Sequence, residues 1–226
     1  MAKNSKNGFK PGFSDRYRIE DGSKFVLADQ STEPAIKFNN GDAKELLEEI
    51  VEEISELQNK LYADNKWALL LVFQAMDAAG KDSTIKNILT GVNPQGVDVF
   101  SFKAPSTLEQ DHTYLWRTDL VAPERGKIGV FNRSYYEETL VVRVHPEILA
   151  KQHIDKSLIT ENIWQERFED IRHREKHLRR NGTIVLKFFL NISRAEQKQR
   201  FLDRIDRPQK NWKFEKADIH ERQFWN

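Results

Sequence analysis

The stretch WALLLVFQAMDAAGKDSTIKNIL, Trp67 to Leu89, decides how the chain is read. It opens on an apolar run, Trp67 to Phe73, of the kind that fits a strand buried on both faces, as in a parallel sheet. Small and polar residues follow from Gln74 to Gly80. Lys81-Asp82-Ser83-Thr84 then opens a helix with Ile85, Ile88 and Leu89 on one face, stopped at Gly91. Strand, small-residue loop, Gly-Lys and helix is the order of a phosphate-binding loop. Its amides form an anion nest and its lysine supplies a point charge. The pattern G-x-x-x-x-G-K-[ST] is met imperfectly: Ala75 stands for the first glycine and Asp82 for the hydroxyl residue. Asp77 inside such a loop would repel phosphate unless it holds a metal or takes a proton. The plainer reading is that it caps the helix.

Outward from the loop, three more strands are predicted: Val97–Phe102, Ile128–Phe131 and Thr183–Ile192. Helices alternate with them. Leu47, Ile50, Ile54, Leu57 and Leu61 form a stripe on a helix that starts near Asp42. Thr107 with Gln110 predicts a capping box for a helix through Leu120. Glu161–Arg180 forms a long helix, Ser193 with Glu196 caps another that runs to about Asp206, and residues 217–226 look helical. Alternating strands and helices predict an α/β fold with a parallel sheet flanked by helices, residues 42–226. Residues 1–41, broken by Gly8, Pro11, Gly12, Gly22 and Pro34, read as an extended arm whose aromatics (Phe9, Phe13, Tyr17, Phe25) pack on the body or on a neighbouring subunit.

Composition narrows the function. Charged residues are 31% and hydrophobic residues 38% of 226, and the net charge of +1 sets up no global field for nucleic acid. There is no cysteine, hence no disulfide or thiolate site. No apolar run reaches membrane-spanning length and no signal core opens the chain, so a cytoplasmic protein without membrane contact is expected. Asn132-Arg133 ends a predicted strand, where open α/β sheets bind ligands.

Four phrases, FQAMDAAGKDSTIK, SFKAPS, GKIGVFNRSYYEETLVVRVHPE and RIDRPQKNWKF, resemble the polyphosphate kinase 2 family from about Trp67 onward. The pairing of FNRSYYE with AAGKD looks most like the class III subgroup, which accepts AMP and ADP. The resemblance implies a P-loop kinase fold similar to thymidylate kinases, with a basic helical lid at about residues 200–216, and a dimer or tetramer. It implies phosphoryl transfer between inorganic polyphosphate and adenine or guanine nucleotides, with Mg²⁺ or, in its place, Mn²⁺. Matched residue by residue, Asp77, Lys81 and Arg133 become catalytic. Ala78, Ala79, Gly80, Lys81, Asp82 and Ser83 form the phosphate loop, with Asp77 and Asp82 as metal ligands. Arg117, Asn132 and Glu137 face the nucleotide. Polyphosphate, a polyanion with about one charge per phosphate, needs a row of cations that reads no sequence; Lys103, Arg204, Arg207, Lys210 and Lys213 are expected to supply it. Ala75 and Ser83 replace frequent glycines of the family, and Asn132 stands where other subgroups carry a Walker-B aspartate. A further C-terminal helix-strand segment is expected after Phe224-Trp225-Asn226. The residues alone also fit an ATP-dependent P-loop kinase of nucleotides or small metabolites, or a non-catalytic polyanion-binding module.

Overall fold

The structure, a computed structural model, describes residues 13–225. Four parallel strands, β1 (Ala68–Ala75), β2 (Val97–Ser101), β3 (Ile128–Asn132) and β4 (Thr183–Leu190), pair in the order β2-β3-β1-β4. The helices are α1 (Asn40–Asp64), α2 (Lys81–Leu89), α3 (Thr107–Gln110), α4 (Trp116–Asp119), α5 (Val141–Val144), α6 (Pro146–Leu149), α7 (Ile163–Arg180), α8 (Arg194–Asp206) and α9 (Lys216–Glu221).

β1 is central because its side chains serve two cores. Leu70 and Val72 pack with Phe131, Tyr135 and Ile171 on the α7 side. Leu69, Leu71 and Phe73 pack with Ile85, Val130 and Leu61 on the side of α1 and α2. Alternate residues of a strand point to opposite faces, so a strand covered on both faces must be apolar throughout. Each large side chain so buried contributes about 1.5–3 kcal/mol. The register sets Phe73 beside Asn132, so the loop after β1 and the turn after β3 leave the sheet side by side.

Several sequence expectations shift. The helix predicted through Leu120 is broken into α3 and α4. Its capping box is Ser106 with Glu109, one residue earlier than expected, because the Glu109 carboxylate reaches the Ser106 N–H at 2.6 Å. On α1 the buried face holds Leu46 and Gln58, and Leu57 from the expected stripe is exposed. β4 ends at Leu190 and not Ile192. Within the expected arm, residues 13–39 carry three short 3-10 turns, and residues 14–39 are exposed apart from a half-buried Phe25; Tyr17 is exposed, and Phe9 lies outside the described residues. Asn226, at the end of the last expected helix, also lies outside them. Among the described residues no helix is long and apolar enough to cross a membrane.

Candidate active site

Between β1 and α2 the backbone makes the turn that the sequence predicts. Gly80 caps α2 at φ 100°, a left-handed conformation that glycine adopts without cost. A Cβ there would meet Arg200 Nη1 at 3.2 Å. Ala78 is also left-handed, φ 62°, where a side chain is strained. The first N–H groups of α2 have no intrahelical acceptor and point out of the helix start. Asp77 does not cap this helix; it sits at the front of the loop. The loop carbonyls are engaged from behind. Lys81 Nζ donates to Ala75 O at 3.0 Å, Gln197 Nε2 to Asp77 O at 2.9 Å, and Arg200 Nη1 to Ala79 O at 2.8 Å and Ala78 O at 3.2 Å.

The turn after β3 brings the second set of groups. Arg133 is left-handed at φ 64°, and its N–H donates to Phe73 O at 3.0 Å, which ties the end of β3 to β1. Its guanidinium spans two carboxylates: Nη2 lies 2.8 Å from Asp77 Oδ1 and Nη1 3.1 Å from Glu137 Oε2. Burial lowers the Lys81 pKa from its ordinary value, and Arg133 adds to the effect against Asp77, Glu137 and Asp82. Burial also opposes the charge on Arg133, yet Glu137 and Asp77 outweigh it and the pKa is raised. Asn132 Nδ2 donates to Asp82 Oδ1 at 2.8 Å, and this bond leads the causes that hold the Asp82 carboxyl below its usual range. Asp77, Lys81, Asp82, Asn132, Arg133 and Glu137 are thus brought together.

The remaining expected residues divide. Lys213 reaches this cluster, 3.5 Å from Asp82 Oδ2. Arg204 does not: its Nη1 donates inward to Lys213 O at 3.1 Å and Asp218 Oδ2 at 3.3 Å. Arg207 pairs with Asp203 at 3.7 Å on the surface. Lys103 is exposed, and its carbonyl accepts from Arg117 Nη1 at 2.8 Å. Arg117 is buried over the Phe102 ring, 5.4 Å from its centroid. It lines a cavity of about 600 Å³ between α3, α4 and α7, with Tyr114, Glu138, Gln152, Asp170 and Arg174. Sequence reading missed Gln197 and Arg200 as loop contacts. The phrase that carries them, a polar helix after β4, has no local signal for what they touch.

The donor set suits a hard divalent cation. Asp77 Oδ2 has no partner among the described residues, while both oxygens of Asp82 face donors. No cluster of three metal-binding side chains exists among the described residues. Mg²⁺ takes one or two carboxylates and completes its shell with water and substrate phosphates, so one open carboxylate oxygen fits it.

A parallel sheet with a glycine-lysine loop after β1 and an arginine after β3 is the arrangement of the P-loop kinase fold. Residues 37–226 match the family model of polyphosphate kinase 2 (PPK2), and the chain belongs to that family. It is similar to an ADP-polyphosphate phosphotransferase of Rhodopseudomonas palustris, 51% identical over 213 residues, 93% of this chain and 74% of that protein. It is also similar to an AMP/ADP-polyphosphate phosphotransferase of Meiothermus ruber, 40% identical over 93% of this chain and 76% of that protein. The crystal structure of polyphosphate kinase 2 from Arthrobacter aurescens TC1 superposes with a TM-score of 0.84 at 36% identity, covering 94% of this chain and 73% of that one. Kinase-type phosphotransferases of this kind require a divalent metal.

Proposed function

We propose that the chain transfers the terminal phosphoryl group between inorganic polyphosphate and nucleoside mono- and diphosphates, converting AMP to ADP and ADP to ATP. The observation that carries the reading is the Arg133 guanidinium held between Asp77 and Glu137 at the mouth of the phosphate loop.

Phosphoryl transfer needs alignment and charge neutralisation more than covalent chemistry. Lys81 and the amides of Ala78, Gly80, Asp82 and Ser83 hold the phosphates around the transferred group, while the Ala79 N–H closes the turn onto Met76 O at 3.2 Å. Arg133 neutralises the group in flight. Its bond to Asp77 keeps the guanidinium aimed until phosphate arrives. A phosphate acceptor is already ionised, so no strong general base is required. Asp77, with Asp82 nearby, would hold Mg²⁺, or Mn²⁺ in its place, which would supply charge neutralisation to the phosphates. Glu137 and Asn132 face the acceptor's phosphates. The cavity beside Arg117 takes the nucleoside; its volume lies within the about 300–1,000 Å³ of small-molecule sites. Lys103, Arg207, Lys210 and Lys213 track the polymer. Guanine acceptors, a dimer or tetramer, a cytoplasmic location, and the division into an arm (1–41) and a kinase domain (42–226) belong to the same reading and rest on the resemblance alone. The ATP-donor and binding-only readings have no observation of their own.

The test is ATP formation from polyphosphate with Mg²⁺, supplying ADP and then AMP, with Lys81→Ala as control. ATP from both acceptors and none from the variant is expected. A folded wild-type chain that forms no ATP from either overturns the proposal.

A further inference from the structure

We infer that Gln197 is a positioning residue for the phosphate loop, and that Arg222 fixes which way its carboxamide faces. The inference deepens the proposed reaction and rests on it for turnover, though not for phosphate binding.

Gln197 is 2% exposed on α8. Its two polar ends meet partners of opposite kind. Nε2 donates to Asp77 O at 2.9 Å, and Oε1 accepts from Arg222 Nη1 at 2.7 Å. A backbone carbonyl only accepts and a guanidinium only donates, so one orientation satisfies both and the flipped one satisfies neither. One helical turn further on, Arg200 holds Ala78 O and Ala79 O. Three consecutive loop carbonyls are therefore clamped against α8.

The clamp acts on the ligand side through the peptide plane. In a trans peptide the carbonyl of one residue and the N–H of the next point in opposite directions. Holding Asp77 O against α8 turns the Ala78 N–H away from it, and holding Ala79 O does the same for Gly80. Ala78 is a non-glycine residue at positive φ, a conformation that persists only when its surroundings impose it. The Ala79 N–H bond to Met76 O, 3.2 Å, holds the peptide after Ala78; without the clamp the peptide before it is free to turn and present the Asp77 carbonyl to the phosphates.

Arg222 lies in the 3-10 turn Arg222–Phe224 that follows α9. That segment is docked by Glu221 on His145, 2.9 Å, and by Asp218 on Arg204, 3.3 Å. The orientation of the loop is thereby tied to the docking of residues 216–224, beyond the basic lid.

The test uses the full chain and two readouts: affinity for tripolyphosphate with Mg²⁺ by calorimetry, and kcat for ATP formation from polyphosphate and ADP. Gln197→Glu keeps the partner of Arg222 but sets an oxygen against Asp77 O. It should weaken tripolyphosphate by about tenfold and lower kcat by about 10- to 100-fold, the scale of a misplaced reacting group. Arg222→Ala should cause a smaller loss in both, and Arg222→Lys should recover most of it. In a Gln197→Ala background Arg222→Ala should add nothing, because it acts through Gln197. Unchanged tripolyphosphate affinity in Gln197→Glu, or an equal Arg222→Ala loss in both backgrounds, overturns the inference. If the wild-type chain binds tripolyphosphate but makes no ATP, the reaction reading fails and the binding arm still decides this one. A wild-type chain that does not bind it overturns both.

Discussion

Two groups of cations flank the phosphate site, and they are held in different ways. Lys81 is buried and bonded to a loop carbonyl, and Arg133 is braced by two carboxylates. Their positions are fixed before any ligand arrives. The cations at the end of α8 and beyond sit mostly on the surface. Arg207 pairs weakly with Asp203, Lys213 reaches Asp82 at 3.5 Å, and Lys210 has no ion pair among the described residues. Exposed pairs of this kind are worth about 0–1 kcal/mol, so a polyanion displaces them easily. Arg204 belongs with neither group, since its bonds are internal. Sequence shows lysine and arginine in all these places; partners decide which charge is preorganised, since the Arg133 and Lys213 side chains are similarly exposed, 39% and 36%, yet Arg133 is gripped by two carboxylates at 2.8 and 3.1 Å and Lys213 meets one at 3.5 Å.

The largest effect expected from this contrast falls on Arg133→Lys. A single ammonium does not span Asp77 and Glu137 as the planar fork does. Loss of an arginine on a transferring phosphoryl group costs about 10³-fold in kcat. Initial rates of ATP formation at saturating polyphosphate and ADP measure it. A rate within about tenfold of wild type, below that expected for such an arginine, would break the contrast, because the braced cation would then do no more than a surface one.

The loop was legible because its signal is local: an apolar strand, small residues and Gly80-Lys81 within one short stretch. Arg133 was legible from its phrase. What escaped is what long-range packing decides. β1 and β4 are both apolar, yet β1 lies at the centre of the sheet and β4 at its edge, with Ile184, Leu186, Phe188 and Phe189 exposed. An apolar run announces a parallel strand and says nothing of its place in the order. Gln197 and Arg200 escaped because they bind backbone atoms some 120 residues away, and a carbonyl has no residue identity to match. The inward bonds of Arg204 escaped for a related reason: its partner Asp218 lies in a later helix.

Arg204→Ala should therefore act on stability more than on polymer binding. Removing a half-buried, doubly bonded guanidinium costs about 1–3 kcal/mol, a fall of several degrees in Tm for a chain of this size. The double change Arg207→Gln with Lys210→Gln should leave Tm in place. It should raise the KM for polyphosphate several-fold, leave the KM for ADP unchanged, and lose its effect as salt rises, the mark of phosphate contacts made by exposed charge. Thermal melts and KM values at two salt concentrations separate the two outcomes. Equal KM changes for polymer and nucleotide in the double variant would remove these cations from the polymer path.

The smallest effect is a pH dependence where residues 216–224 dock. His145 Nε2 lies 2.9 Å from Glu221 Oε2 and Nδ1 lies 3.2 Å from Glu147 Oε1, with the Phe224 ring packed edge-on. The bond to Glu221 leads the causes that raise the His145 pKa above 6.5, with burial opposing it and the charges of Glu221 and Glu147 adding to it. A pKa raised by folding contributes stability that is complete below the unfolded value, about 6.5, and fades as pH climbs through the folded value. The wild-type chain should therefore melt above His145→Gln by a degree or two, about the size expected of an exposed ion pair, at pH 6, and the gap should close by pH 9. A gap that stays constant across this range would mean that the imidazole acts there as a neutral hydrogen-bonding group. Because Glu221 precedes the arginine that orients Gln197, a closing gap accompanied by falling tripolyphosphate affinity in the wild type alone would extend the contrast: the braced cations of the loop would keep their geometry only while residues 216–224 are docked through a charged His145.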